Sequence, residues 1–382
     1  MHLWGIHLSG DPRITVYEPA FLALALRSSS SSLAGTHPRR ILHSIQSSVL
    51  LAYYFLRTAR FLEGKFHISA AVSVALRAGL NRIRAARGFD SVGVRPVSDF
   101  FKDMREEGER IGAFWSVLHA HNRFASNFAY GSTAWTIDTP WPLDAADYVK
   151  RPHLLPQQCS GTVAKFLWDI PDEVTSTAAL YAKAGVLYNY EEATRLGGRC
   201  RSGTLSPNDP EFTALDRKID AFIPTLPPVQ SQRMLAVHTL VHCATIQLHD
   251  PLATVSVSSR TRTLVAARAV ADLLARTDIV KLGLPIDTVI APLWTTTCLV
   301  FIAEIDRRRN AEGQNNTAVG DLKDCANSVV GVMEIIAPHC HLMALQLDAV
   351  RRAYEGVQGN VGRVGCGRLR LAIRPTADNL PS

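Results

Sequence analysis

Closely spaced cysteines are missing from this sequence. Its seven cysteines are odd in number and scattered along the chain, and no Cys-x-x-Cys pair occurs among them. Disulfide-stapled domains and cysteine-rich zinc sites depend on closely or regularly spaced cysteines. We therefore expect neither a disulfide framework nor a cysteine-rich zinc site in this chain, and we expect a reducing intracellular compartment.

Long apolar runs and a targeting leader are missing as well. The longest uncharged apolar stretch, Thr288 to Ala303, contains Pro292 and is shorter than the roughly 18 residues that a membrane-spanning helix needs. The N-terminal sequence MHLWGIHLSGD has no basic start and only a short apolar run, unlike a signal peptide. We expect a buried core helix over the apolar stretch, no signal peptide and no membrane partner.

The common catalytic motifs are also missing. No G-x-S-x-G elbow, no phosphate-binding loop and no H-E-x-x-H occur in the chain. The adjacent carboxylates Glu106-Glu107 and Glu191-Glu192 diverge on a helix, which is typical of solvated charge. We expect that the protein is not an enzyme.

The sequence does have a mildly basic composition. Of its 382 residues, 47% are hydrophobic and 20% are charged, and the net charge is +7 with a pI near 9.1. This length allows one large domain or two smaller ones. The basic residues are scattered, so a solvated basic surface is favoured over a dedicated nucleic-acid face.

Helical periodicity is common and strand patterns are sparse, so we predict an all-α, multi-helix fold. The predicted helices are 18–27, 38–59, 66–80, 104–130, 171–196, 211–223, 231–249, 260–276, 286–309, 319–336 and 338–355. The helix at 66–80 is rich in alanine along one face, so we expect other helices to pack closely around it. Glu63-Gly64 is predicted to be the junction with the preceding helix.

Candidate ligand-binding residues lie on the predicted helix at 104–130. Its apolar stripe includes Trp115 and is interrupted by His119, Asn122 and Ser126. Buried polar groups need hydrogen-bond partners, so these residues form either a satisfied core network or the polar lining of a small-molecule pocket. The core network is the favoured interpretation, and the pocket stays open as the alternative.

A second candidate site is the histidine face of the helix at 231–249. His238 and His242 are four residues apart, a spacing that can hold a metal, and His249 lies on the same face. The metalloprotease arrangement needs a Glu after the first His, and Thr239 stands there instead. We favour hydrogen-bonded packing residues and predict no metal site.

Two segments interrupt the helical pattern. Residues 136–156 contain Pro140, Pro142, Pro152 and Pro156, which predicts an extended crossing segment. Residues 356–382 begin with a glycine-rich stretch that cannot bury much apolar surface, which predicts a disordered tail.

Several of these segments together resemble a known pattern. AAVSVALRAGL (70–80), RIGAFW (110–115) and IDTPWP (137–142) occur in the order and spacing of the middle homology region of fungal binuclear zinc cluster (Zn2Cys6) transcription factors, of the basidiomycete type. Further similar segments are VLLAYYFLRTARFLEG (49–64), LYAKAGVLYNY (180–190), LDRKIDAFIPTLP (215–227), LVHCATIQLH (240–249) and Leu293-Trp294-Thr295. Each motif alone is moderately specific, and three in sequence order are strong.

The resemblance implies that residues 1–355 form an all-helical regulatory domain that modulates transcription. Two departures from the family pattern bear on any charge-dependent role. Members of the family often have Asp-Arg where this chain has His121-Asn122, and Gly-Leu-His where it has Gly79-Leu80-Asn81.

The family binds DNA through a six-cysteine cluster that holds two zinc ions, and those cysteines do not occur in this chain. Met1 falls inside what resembles the regulatory domain, so we expect a regulatory domain without its DNA-binding head. The resemblance implies a nuclear location, co-regulators or transcription machinery as partners, and a small-molecule effector or a homodimer as further partners. It implies DNA binding only through the missing cluster, and no cofactor in this chain.

Two alternatives to transcription regulation stay open at this point. One is an all-α metal-dependent enzyme or carrier that uses the His238/His242 face. The other is an interaction scaffold that binds no DNA and sequesters full-length relatives.

Overall fold

A computed structural model describes residues 1–34, 36–84, 104–124, 137–150, 161–172, 174–196, 210–283, 287–312 and 317–358. Within these ranges the chain is helical and contains no β-strand, so the all-α prediction is confirmed. The chain divides into two compact units. The first comprises Met1–Leu56 and Arg60–Ala182, and the second comprises Arg57–Ala59 and Lys183–Ser382.

The first unit contains α1 to α8 and the start of α9. These helices are α1 His2–Ser9, α2 Pro12–Thr15, α3 Glu18–Ser31, α4 Arg40–Arg57, α5 Phe61–Arg77, α6 Met104–Phe124, α7 Asp147–Lys150, α8 Thr162–Leu167 and α9 Thr177–Leu196. Residues 137–144 are irregular, and the last part of the predicted proline-rich segment, 151–156, lies outside the described residues. In this unit the predicted alanine-rich helix is α5, which packs against α6.

The second unit contains the rest of α9 and α10 to α16. These helices are α10 Pro210–Phe222, α11 Gln232–His249, α12 Val257–Arg276, α13 Ile279–Leu282, α14 Ile290–Glu312, α15 Thr317–Ile336 and α16 His341–Gln358. The central helix here is α14, which packs against α11, α12, α15 and α16. α16 runs through Gly356 to Gln358, and residues 359–382 of the predicted tail lie outside the described part of the chain.

The joint between α4 and α5 differs from the sequence prediction. We placed it at Glu63-Gly64, but α5 already begins at Phe61, and the chain turns at Ala59, whose φ is 61°. Gly64 lies inside α5, where an added Cβ would come within 2.9 Å of the Leu56 side chain. The glycine therefore serves close helix packing rather than a helix end.

Small side chains give α5 its buried face. The buried residues are Gly64, His67, Ile68, Ala71, Val72 and Ala75, which recur at helical spacing. The helix ends before Gly79, whose φ of 68° lies in the left-handed region where glycine carries no steric cost. Because the helix ends here, the Leu80 carbonyl can bond to the irregular segment at 137–144.

Two long helices of the second unit, α11 and α12, begin at side-chain caps. Ser231 accepts a hydrogen bond from the Met234 N–H, and Ser256 accepts one from the Ser259 N–H. α11 is buried on most sides, from Met234 to His249, so it is a core helix of its unit.

No helix among the described residues is both long enough and apolar enough to cross a membrane.

Candidate functional site

The three segments that carry the family resemblance meet in the first unit. The Thr139 hydroxyl donates to the Leu80 carbonyl at 2.5 Å and accepts the Ile83 N–H at 3.3 Å. The Asp138 N–H donates to the Asn81 carbonyl at 2.8 Å. These bonds hold the residues after α5 against the irregular segment. Thr139 lies 59 residues after Leu80 and 56 residues after Ile83 in the sequence.

Trp115 joins α6 to the same segment. Its indole N–H donates to the Pro140 carbonyl at 2.7 Å, and its ring stacks on Trp141 with centroids 4.7 Å apart. The ring of Phe166 on α8 packs edge-on against Trp141, with centroids 5.6 Å apart. Trp115 is 2% exposed and its only polar group has a partner. Trp115, a candidate residue of the alternative pocket, is thus engaged in packing and in a backbone hydrogen bond.

The start of α8 holds the segment from its other end. The Thr162 hydroxyl donates to the Thr139 carbonyl at 2.9 Å, and the Gly161 N–H donates to the Asp138 carboxylate at 2.7 Å. We call Leu80, Trp115, Thr139, Pro140 and Trp141 the motif junction. Its hydrogen bonds satisfy the side-chain polar groups of Trp115 and Thr139, which is the pattern of a structural core.

His119 lies one turn beyond Trp115 on α6. It is 7% exposed, and its ring centroid is 4.4 Å from that of Tyr181 on α9, in a tilted arrangement. Asn122 is half-buried, and Ser126 lies outside the described residues. Of the four predicted pocket residues, the structure thus places Trp115 and His119 together on the buried side of α6. Tyr181 was not predicted, because nothing in its local sequence points to α6.

A departure from the family pattern falls on the same helix. Burial lowers the pKa of His121, which stands where family members often have an aspartate. The His121 imidazole is therefore neutral over a wider pH range than an exposed histidine would be.

The histidines of α11 have three different surroundings. A ring nitrogen of His238 lies 2.8 Å from the Pro227 carbonyl oxygen. Burial, with a smaller contribution from the charge of His238, lowers the pKa of His242 to about 4. His249 is bonded to Asp216 rather than to the other two histidines. In the described part of the chain no group of three or more His, Cys, Asp or Glu side chains could hold a metal ion.

His249 is the centre of a polar network that sequence reasoning did not find. Its Nε2 is 3.0 Å from an Asp216 oxygen and its Nδ1 is 3.2 Å from the Ser259 hydroxyl. Arg262 donates to Asp216 at 2.5 Å and to Asp220 at 2.7 Å. Burial works to raise the pKa of Asp216, but the bonds from His249 and Arg262 outweigh it, so the pKa is lowered.

This network has the composition of a Ser-His-Asp relay, but Ser259 is only 2% exposed. A hydroxyl that a substrate cannot reach is not placed for nucleophilic attack. The network instead ties α10, α11 and α12 together through charged and hydrogen-bonded side chains.

Comparisons of the chain with protein-family models, with curated proteins and with solved structures found no match.

Proposed function

We propose that the chain is an effector-responsive regulatory domain of the fungal zinc cluster transcription factor type. The observation that carries this proposal is the motif junction. The segments at 70–80, 110–115 and 137–142 resemble the family in sequence. Thr139 of the third segment donates a hydrogen bond to Leu80 of the first, and Trp115 of the second donates one to Pro140 of the third. A shared tertiary contact is a physical reason for three distant motifs to occur together.

In this proposal the domain exists in two conformations that expose an interaction surface to different extents. A ligand or partner that binds one of them better shifts the population by its difference in affinity. The partners are co-regulators or transcription machinery in the nucleus, and a second copy of the chain is a further partner. DNA is reached only through a zinc cluster that this sequence does not contain, so zinc has no role within the chain itself.

The test is a fusion of the chain to a heterologous DNA-binding module at a reporter gene in a fungal host. We expect reporter output to change several-fold relative to the module alone. Trp115→Ala should abolish the change, because it removes the anchor of the motif junction. Ser116→Ala, at the exposed neighbouring position on α6, is the matched control and should leave it intact.

An unaltered reporter with a stably expressed fusion would contradict regulation and would favour an interaction scaffold. Expression is followed by immunoblot, and the fold of the purified variants by circular dichroism. These two measurements separate loss of regulation from loss of the protein.

A further inference from the structure

Helix α3 is apolar on two faces. Residues 19–26, PAFLALAL, form an unbroken apolar run, yet none of the 14 residues of α3 is fully buried. The inner face of the helix packs on a buried cluster, which consists of Leu3, Leu51, Tyr54 and Phe55. The residues of α3 in that contact are Phe21, Leu22, Ala25 and Leu26. A helix that is apolar all round is normally covered on every side, so the outer face of α3 requires an explanation.

The outer face of α3 is a stripe at helical spacing. Val16, Ala20, Leu24 and Arg27 follow one another at intervals of one turn, Tyr17 lies beside them, and all five are exposed. Val16, Tyr17 and Leu24 are 69%, 59% and 53% exposed. We call these five residues the α3 face. Three large apolar side chains thus meet solvent along one side of one helix, which is typical of an interaction surface.

The charge around the α3 face has a single sign. No Asp or Glu occurs between Glu18 and Glu63. Glu18 itself is engaged on the other side of the helix, because its carboxylate accepts the Tyr54 hydroxyl at 2.7 Å and lies 2.9 Å from a His7 ring nitrogen. Arg27 makes no side-chain ion pair or hydrogen bond among the described residues.

A second unpaired arginine lies towards the same end of α3. The Glu18–Tyr54 bond joins the start of α3 to the end of α4, and only residues 32–39 connect the two helices. The helices therefore run in opposite directions, and the end of α3 lies towards the start of α4. Arg40 is exposed there and, within the described ranges, has no ion pair, whereas its neighbour Arg39 is paired with Glu109.

These charges discriminate between the possible occupants of the α3 face. A second copy that used the same face would oppose arginine to arginine, with no acid of the surrounding stretch to offset them. A nucleic acid would pair with the arginines but would leave Val16 and Leu24 uncovered. An amphipathic helix with an apolar face flanked by Asp or Glu would cover the apolar side chains and pair with both arginines.

We propose that the α3 face is the docking surface for an acidic amphipathic helix of a partner protein. α3 has 14 residues and is therefore about 21 Å long, so roughly four turns of a partner helix fit along it. The contact is smaller than a standard interface, and we expect a dissociation constant of about 10 μM. That this partner is a co-regulator rests on the function proposed above, whereas the binding itself is testable without it.

The experiment measures the fluorescence anisotropy of labelled peptides titrated with the full-length chain. The probe is a 16-residue peptide of leucine, alanine and glutamate with its leucines on one helical face. One control peptide has lysine in place of every glutamate, and the other is a scrambled sequence without a leucine face. We expect saturable binding of the probe, at least ten-fold weaker binding of both controls, and several-fold weaker binding of the probe when NaCl is raised from 50 to 300 mM.

Two variants of the chain locate the binding surface. Leu24→Glu and Arg27→Glu should each weaken binding of the probe at least five-fold, because the first removes apolar area and both bring negative charge to an acidic ligand. Val265→Glu and Arg276→Glu, at exposed positions on α12, are the matched controls and should bind the probe like the unaltered chain. Circular dichroism checks that each variant is folded.

Three results would overturn the proposal. The first is equal affinity for the glutamate and lysine peptides, which would show apolar adhesion without charge selection. The second is unaltered binding of the probe by folded Leu24→Glu. The third is a chain dimer in sedimentation equilibrium that Leu24→Glu dissociates, together with no binding of the probe, because the occupant would then be a second copy.

Failure of this inference and failure of the proposed function are separable. If the probe does not bind while the reporter fusion still changes output, the α3 face is wrong and regulation stands. If the probe binds but the fusion leaves the reporter unaltered, the docking surface stands and the regulatory function is wrong.

Discussion

The motif junction of the first unit and the second unit both contain buried tryptophan and threonine side chains, namely Trp115 and Thr139 in the junction and Trp294 and Thr239 in the second unit. In the junction Trp115 is 2% exposed and Thr139 is 0% exposed, and in the second unit Trp294 and Thr239 are both 0% exposed. The Trp115 indole and the Thr139 hydroxyl both have backbone partners, and the Trp294 indole and the Thr239 hydroxyl have none among the described residues. Burial alone therefore does not reveal the role of a polar side chain, because the role depends on its partner.

The largest expected effect is a loss of stability when the motif junction is mutated. Trp115→Ala should lower the free energy of unfolding by about 3–5 kcal/mol, because it removes a large buried ring and leaves a cavity beside Trp141. Urea denaturation followed by circular dichroism measures it. Trp115→Phe keeps the stacking and should cost less, about 1–3 kcal/mol, for the unpaired Pro140 carbonyl. An unchanged stability for Trp115→Phe would contradict the role of the hydrogen bond.

A pH response should distinguish the second unit from the junction, which contains no titratable side chain. The folded-state pKa of His242 is about 4, below the ordinary value of 6.5, because burial disfavours its charged form. The unfolded chain therefore takes up a proton at higher pH than the folded chain. The stability contributed by neutral His242 is complete above pH 6.5 and should fall by about 3 kcal/mol as the pH drops towards 4.

The measurement is the urea midpoint as a function of pH for the unaltered chain and for His242→Leu. Between pH 6.5 and 4 the urea midpoint should fall less in the variant, because His242 is no longer there to take up a proton when the chain unfolds. Identical slopes in the two proteins would show that His242 is protonated equally in both states, contrary to its burial.

An intermediate effect is expected for the threonine of the junction. Thr139→Val keeps the shape of the side chain but removes the donor to Leu80 and the acceptor of the Ile83 N–H. Both backbone groups are then left unpaired in the core, so the unfolding free energy should fall by about 2 kcal/mol. The loss should be the same at pH 7 and pH 5. A neutral effect would mean that the junction tolerates unpaired groups and would remove the contrast with Thr239 and Trp294.

The smallest expected effect belongs to Thr239 of α11 and has the opposite sign. Thr239→Val removes a hydroxyl that bonds to no described residue, so the protein should be equally stable or more stable, by up to about 1 kcal/mol. Differential scanning fluorimetry beside Thr139→Val gives a direct comparison. A clear loss of stability would show that the Thr239 hydroxyl already has a partner within the protein.

Helical periodicity located most of the helices. The prediction at 231–249 matches Gln232–His249, and the prediction at 38–59 contains Arg40–Arg57. The joint before α5 was misplaced, because Gly64 was taken as a helix end when it is a point of close packing against Leu56. A glycine at a helix end and a glycine at a close helix contact look the same in the sequence, and only the position of the neighbouring helix distinguishes them.

The predicted site illustrates a different limit. The pattern correctly placed Trp115 and His119 on the buried side of a helix, since an amphipathic stripe follows from spacing alone. It could not supply their partners, because Pro140 and Tyr181 lie on other segments whose positions depend on the whole fold. Asp216, Ser259 and Arg262 around His249 escaped notice for the same reason. The pocket role of Trp115, His119, Asn122 and Ser126 stays a prediction.

The sequence by itself determined the all-α class, the course of most helices and the faces that they bury, because these follow from local periodicity and from the positions of glycine, proline and capping residues. Only the tertiary structure decided which buried polar groups are satisfied. Trp115 and Trp294 are the same residue type, and both lie on the buried face of a helix. The Trp115 indole donates to a carbonyl 25 residues away, and the Trp294 indole has no partner in the described part of the chain. Hydrogen bonding acts over about 3 Å in space, at a separation in sequence that local patterns do not encode.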